Sequence, residues 1–180
     1  NSNTVTSMKW LNKQESSNDK VRLTAKAKSG WVFDHWKGSI SGTKNPIVIE
    51  LDEKKDVTAV FKEKLIKDKN LEEAIREELN KPEGRLTKED LSNLKKLEAE
   101  DCNITSLEGL EYLENLEYLN LNNNGILDPS IVCLLQDLKI LQLKNNKINT
   151  AIFKKEMKSL EELDLSENDL RILKFGKGDG

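Results

Sequence analysis

The single histidine of this 180-residue chain, His35, and its two cysteines, Cys102 and Cys133, are the side chains best suited to proton transfer, nucleophilic attack or metal ligation. Such chemistry needs a second group at a fixed place, a base beside a nucleophile or several ligands around one cation. His35 has no Cys, Ser or second His in a recognisable arrangement with it, so neither a catalytic base nor a zinc ligand is expected there. The acidic doublets Glu72-Glu73, Glu77-Glu78 and Glu161-Glu162 lack the spacing of a calcium-binding loop and read as solvated faces. Trp31, Phe33 and Trp36 could stack on a sugar ring, but a small domain needs its large side chains inside, and a core role is expected. With no nucleophile and base pair, phosphate loop or metal set in the pattern, the chain is not expected to be an enzyme or to hold a cofactor.

The polar residues with a stronger claim to function are spaced by a leucine pattern. It repeats every 22 residues from Leu94, Leu116, Leu138 and Leu160 and fits L-x-x-L-x-L-x-x-N/C-x-I or Leu at nearly every fixed position. Such a period marks a leucine-rich-repeat solenoid. Within each copy two fixed residues lie two apart (Leu97 and Ala99, Leu119 and Leu121, Leu141 and Leu143, Leu163 and Leu165), so both point to one face of a short strand. One strand cannot bury that face alone, whereas stacked parallel coils share a continuous core. The residues between the leucines are left outside as three rows. These are Lys96, Tyr118, Ile140 and Glu162; then Glu98, Asn120, Gln142 and Asp164; then Glu100, Asn122, Lys144 and Ser166. Tyr118 beside Ile140, ringed by polar groups, has the composition of a protein-binding hot spot. Asn124, Asn146 and Asn168 follow each strand and are expected to form a buried ladder serving the turn backbone. Cys102 takes the corresponding place in the first copy, and both cysteines are read as buried thiols without a disulfide.

Charge narrows the partner. Lysine and arginine number 29 against 32 aspartates and glutamates, a net charge of -3, and the outward rows carry more acids than bases. Nucleic acid, which requires a basic face, is therefore not an expected partner. No apolar run approaches the roughly 18 residues of a membrane span, so membrane insertion is not expected either.

Residues 1–64 read as a separate small β domain. Val21, Leu23, Ala25 and Ala27 alternate with polar residues, as do Ile47, Ile49 and Leu51, and Val57, Ala59 and Phe61; turn-forming stretches separate them, and 4–11 offers a further strand. Residues 65–93 read as a linker and helical cap. Leu71, Ile75 and Leu79 form one helical stripe, Pro82 and Gly84 end it, and Thr87 with Asp90 starts a second short helix with a capping box. Residues 94–180 make four coils. A fifth would begin at position 182, so the solenoid is expected to continue past Gly180 and its last coil to expose an apolar edge. Leu107, Leu110, Leu113 and Leu116 recur every three residues, the pitch of a 3₁₀ arc.

These residues resemble a known family. The block Gly30-Trp31-Val32-Phe33 with Trp36 and Gly38, closed by Val57-Thr58-Ala59-Val60-Phe61, resembles the divergent internalin B-type repeat of bacterial surface proteins. The cap and the 22-residue coils are similar to the internalin repeat domain. The resemblance implies a secreted or cell-surface bacterial module whose concave sheet binds a protein, in adhesion or cell interaction; the alternative is a spacer segment of a larger adhesin. In internalins the B-type repeats follow the leucine-rich repeats, whereas here the β module comes first, so a host-invasion role is not carried over.

Overall fold

A computed structural model describes residues 20–50 and 55–176, and these divide at Lys64 and Leu65 into two compact units. In the first, β1 (Lys20–Leu23) pairs antiparallel with β3 (Ile47–Glu50), and β2 (Trp31–Gly38) with β4 (Val57–Glu63). The aromatic block expected as core forms the longest strand, and its alternation is broken by a bulge between Phe33 and His35. Trp36 is buried with Ile49 and Val57, its indole N–H donating to the Lys44 carbonyl at 2.9 Å, and Phe33 contacts both Trp36 and Phe61. The expected strand through Ala25 and Ala27 stops at Leu23. There the side-chain amide of Asn45 takes over, accepting from the Ala25 N–H and donating to the Ala25 carbonyl at 2.9 and 2.8 Å. The possible strand at 4–11, and Leu51, lie outside the described residues.

The second unit begins with the cap. Helix α1 (Lys69–Glu78) buries Leu71, Ala74 and Ile75, the stripe its spacing requires, and α2 (Lys88–Ser92) starts with the Thr87 and Asp90 capping box. Burial works against the Asp90 charge, but bonds from Lys81 and Thr87 outweigh it and hold the carboxyl at a pKa of about 2. The segment before α1 lies so close to the first coil that a side chain at Gly109 (φ +104°) would place its Cβ 2.1 Å from the Leu65 carbonyl oxygen. Only glycine meets both demands.

The coils follow in parallel register. Strands β5 (Lys96–Glu98), β6 (Tyr118–Asn120), β7 (Ile140–Gln142) and β9 (Glu162–Asp164) form one sheet in that order. Leu97, Ala99, Leu119, Leu121, Leu141 and Leu143 are fully buried in a core that extends from the cap to Phe153. The return arcs change character along the solenoid. In the first two coils they contain 3₁₀ turns, Leu110–Tyr112 and Ser130–Leu134, with core residues three apart at Leu107, Leu110 and Leu113 and at Val132, Leu135 and Leu138. In the last two they are strands, β8 (Thr150–Phe153) and β10 (Ile172–Phe175), paired in parallel. The 3₁₀ pitch read at Leu107 to Leu116 thus extends to the second arc and gives way to strand in the last two, and spacing gives the reason: Ala151 and Phe153 enter the core two apart, with β-branched Thr150 and Ile152 between and before them. In the fourth coil Leu160, Leu163, Leu165 and Leu170 are half-buried, and Leu173 and Phe175 are exposed.

One column was not foreseen. Asp101, Asn123, Asn145 and Glu167, each 22 residues after the last, all adopt left-handed backbone with φ of 55°, 57°, 52° and 55°. Asparagine and aspartate tolerate this region; a glutamate does so less readily. Glu167→Asn is therefore expected to stabilise the chain. Relief of roughly 1 kcal/mol of backbone strain should exceed the loss of an exposed ion pair to Lys144 at 3.1 Å. Thermal unfolding should show a melting point higher by about 3 °C, and a lower one would rank the ion pair above the strain.

Candidate functional site: the outward face of the four-stranded sheet

The three rows read from the sequence all lie on this sheet or its immediate extension. Lys96, Tyr118, Ile140 and Glu162 are directly opposite one another across the strands, as are Glu98, Asn120, Gln142 and Asp164. Glu100, Asn122, Lys144 and Ser166 lie two residues beyond that second row. Their exposures are not uniform. Lys96, Glu98, Glu100, Glu162 and Ser166 are exposed, whereas Tyr118, Ile140, Asn122, Gln142, Lys144 and Asp164 are half-buried and Asn120 is buried. Tyr118 and Ile140 are thus less open than strand alternation suggests, and at Tyr118 long neighbours reach over the ring.

Tyr118 shows how. Lys96 Nζ lies 5.0 Å from the ring centroid, and the phenol O–H donates to Gln142 Oε1 at 3.1 Å. Burial first, and the Glu98 carboxylate second, raise the phenol pKa, so the hydroxyl stays protonated. Lys96 in turn bonds Glu98 at 2.9 Å, and that bond is the main reason the Glu98 carboxyl lies below its ordinary value. Asn120 donates to Glu98 and Glu100 and accepts from the Asn122 N–H, while Asn122 Oδ1 accepts from the Lys144 N–H at 2.8 Å. Asp164 accepts from the Ser166 N–H at 2.8 Å, and this side chain and backbone bonding lowers its pKa. The polar rows therefore brace one another across coils. What they leave for a ligand is a small aromatic and aliphatic centre at Tyr118 and Ile140 with charged ends, Lys96, Glu98 and Glu100 at one side and Glu162 at the other.

The residues weighed for other chemistry lie elsewhere. His35 Nδ1 is 2.8 Å from Asp34 Oδ2 within the first unit, and Trp31 is half-buried with Lys28 over its ring. Cys102 and Cys133 are both free thiols. Cys133 is buried, but Cys102 is only half-buried, its Sγ donating to the Glu100 carbonyl; the expectation of two buried thiols holds for one. Burial, then Glu77, raises the Cys102 pKa. Among the described residues no group of three or more His, Cys, Asp or Glu could hold a metal ion, and no helix is long and apolar enough to cross a membrane.

Beneath the face runs the asparagine ladder. Asn124 Oδ1 accepts from the Cys102 and Ile104 N–H groups and its amide donates to Ala99, Leu121 and Asn122. Asn146 accepts from one N–H, that of Ile126, and donates to Leu121, Leu143 and Lys144, and Asn168 accepts from Ile148 and donates to Leu143, Leu165 and Ser166; of the three only Asn146 is buried, the outer two rungs being half-buried. The ladder ties each turn to the backbone of the preceding coil.

This architecture has relatives. Residues 2–65 match the model of the divergent InlB B-repeat domain, and residues 92–132 that of leucine-rich repeats in two copies. Among solved structures the chain is similar to an internalin (inlF) from Listeria monocytogenes, 35% identical, with TM-score 0.53, over 59% of this chain and 32% of that one. An internalin C2 (inlC2) from the same organism is 23% identical, with TM-score 0.48, over 63% of this chain and 66% of that one. The chain spans about a third of the length of the first internalin. No curated protein matches it. The chain therefore joins a B-repeat-like β unit to an internalin-like leucine-rich-repeat solenoid.

Proposed function

We propose that this chain is a secreted or cell-surface bacterial binding module that recognises a protein through the concave sheet of its solenoid, without catalysis or cofactor. The observation that carries the reading is the Tyr118 and Ile140 pair, held in register on adjacent strands, with Tyr118 braced by Lys96 and Gln142. A braced aromatic loses little side-chain freedom on binding, which is what makes aromatic residues effective anchors. Internalin-like and B-repeat-like parts fit a surface adhesion module. The lining offers aromatic, aliphatic, amide and paired carboxylate groups, the chemistry of recognition rather than of bond cleavage.

A spacer role within a larger adhesin is the second reading. It is favoured by how many of the outward polar groups are already bonded to one another, leaving few for a ligand. One variant separates the two. Peptides selected from a display library on the immobilised chain should lose several kcal/mol of affinity for a Tyr118→Glu, Ile140→Glu double variant, because the new carboxylates must be desolvated. Its melting point should barely move. Unchanged affinity with unchanged folding would favour the spacer.

A further inference from the structure

The cations of the solenoid unit fall into two groups. Toward the cap and on the strand side they are engaged, for example Lys81 with Asp90, Lys96 with Glu98, Lys139 with Glu117 and Lys144 with Glu167. Among its described residues the cations without an ion-pair or ring partner are Lys147, Lys154, Lys155, Arg171 and Lys174. Four of these five flank the two back strands. Arg171 precedes β10 and donates its backbone N–H to the Asn149 carbonyl, Lys174 lies opposite Ile152 on β8, and Lys154 and Lys155 follow β8 directly.

Between these charges the sheet presents aliphatic surface. Ala151 and Phe153 turn inward, so Thr150 and Ile152 face out beside Ile172 and Lys174; Ile152 is 38% and Ile172 43% exposed. Nearby acids do not neutralise the cluster: Glu156 is paired with Lys158, and Asp169 makes no ion pair with it. Residues 65–180 carry 24 acids against 17 bases, so unpaired cations gathered on one arc run against the unit's own balance. They are therefore free to meet negative charge brought by a partner.

We propose that the back face of the third and fourth coils is a second docking surface, for an acidic protein segment carrying aliphatic side chains. Carboxylates would meet Lys154, Lys155, Arg171 and Lys174, while aliphatic groups cover Ile152 and Ile172. A sulfated polysaccharide would use the charges and leave the isoleucines in water, so a protein segment uses more of the surface. The face lies on the arc away from the concave sheet and does not depend on the function proposed for that sheet.

The test uses the full chain and a short fluorescein-labelled peptide of alternating Glu and Leu, read by anisotropy at low and high salt. The peptide should bind with marked salt dependence, and a Lys154→Glu, Lys174→Glu variant should weaken it about tenfold or more with an unchanged melt. Ile152→Thr with Ile172→Thr, which keeps the strand-favouring branched side chains, should also weaken it, whereas the Tyr118→Glu, Ile140→Glu variant should bind normally. Lys155→Gln with Arg171→Gln gives a milder check should charge reversal impair folding. The proposal is overturned if the peptide does not bind. It is equally overturned if polyglutamate, heparin or phosphatidylglycerol vesicles bind as well and the isoleucine variant leaves binding unchanged.

Discussion

Replacing Asn146 by alanine should cost about 3 kcal/mol, a large share of the stability of a unit this size. The asparagine is 8% exposed and serves four backbone groups from two coils, accepting from the Ile126 N–H at 3.0 Å and donating to the Leu121, Leu143 and Lys144 carbonyls at 2.9, 3.1 and 3.3 Å. Alanine leaves those groups inside the turn without the side-chain donor and acceptor that serve them. Denaturant unfolding of Asn146→Ala against the parent measures the loss. A change below about 0.5 kcal/mol would mean that the neighbouring rungs carry the bend alone. Cys102 stands at the first rung, where Asn124 already accepts its N–H at 3.2 Å, so Cys102→Ser should be milder.

A comparable loss is expected from a residue outside the repeats. Asp68 caps α1 through Oδ1, which accepts from the Asn70 and Leu71 N–H groups, and clamps the first coil through Oδ2, which accepts from Thr105 N–H, Thr105 O–H and Ser106 N–H. Asp68→Ala removes the cap and the clamp together and should cost about 3 kcal/mol. Asp68→Asn, which keeps one acceptor oxygen, should fall between. Burial alone would raise the carboxyl pKa, but the bonds from Thr105, Leu71, Ser106 and Asn70 outweigh it, and the folded value lies below 3.8. A lowered folded pKa means that this contribution is fully present above the unfolded value and is lost as pH falls through the folded one. Asp90, held at about 2, weakens in the same direction at still lower pH. Melting points between about pH 6 and pH 2 should therefore drop less steeply for Asp68→Asn than for the parent, because one of the two carboxylates has been removed. Parallel curves would assign the acid loss to other groups.

The solenoid was legible because its information is periodic: each leucine is required by the same geometry in every coil, and four copies fix the period. The capping box at Thr87 and Asp90 was legible for a similar reason, since its two bonds span three residues of chain. The Asp68 clamp was not, because its partners Thr105 and Ser106 are brought to it only by the docking of the cap. The left-handed column showed in the sequence only as asparagine and aspartate at Asn123, Asn145 and Asp101, a cue blurred by Glu167. The back strands carry a signal in Ala151 and Phe153, two apart with Ile152 between, but three residues are too few to separate a strand from a tight arc by periodicity. On the outward face of the four-stranded sheet, alternation gives the rows their register yet could not show that Asn120 lies buried beneath Glu98 and Glu100, since that depends on where long side chains fold.

The claim that recognition belongs to the concave sheet is tested most directly by hydroxyl-radical footprinting of the full chain with and without a display-selected binder. Tyr118 and Ile140 should lose reactivity on binding while Leu127, Ile152 and Ile172, exposed on the arcs, keep theirs. Protection confined to the arcs, with Tyr118 and Ile140 unchanged, would contradict it.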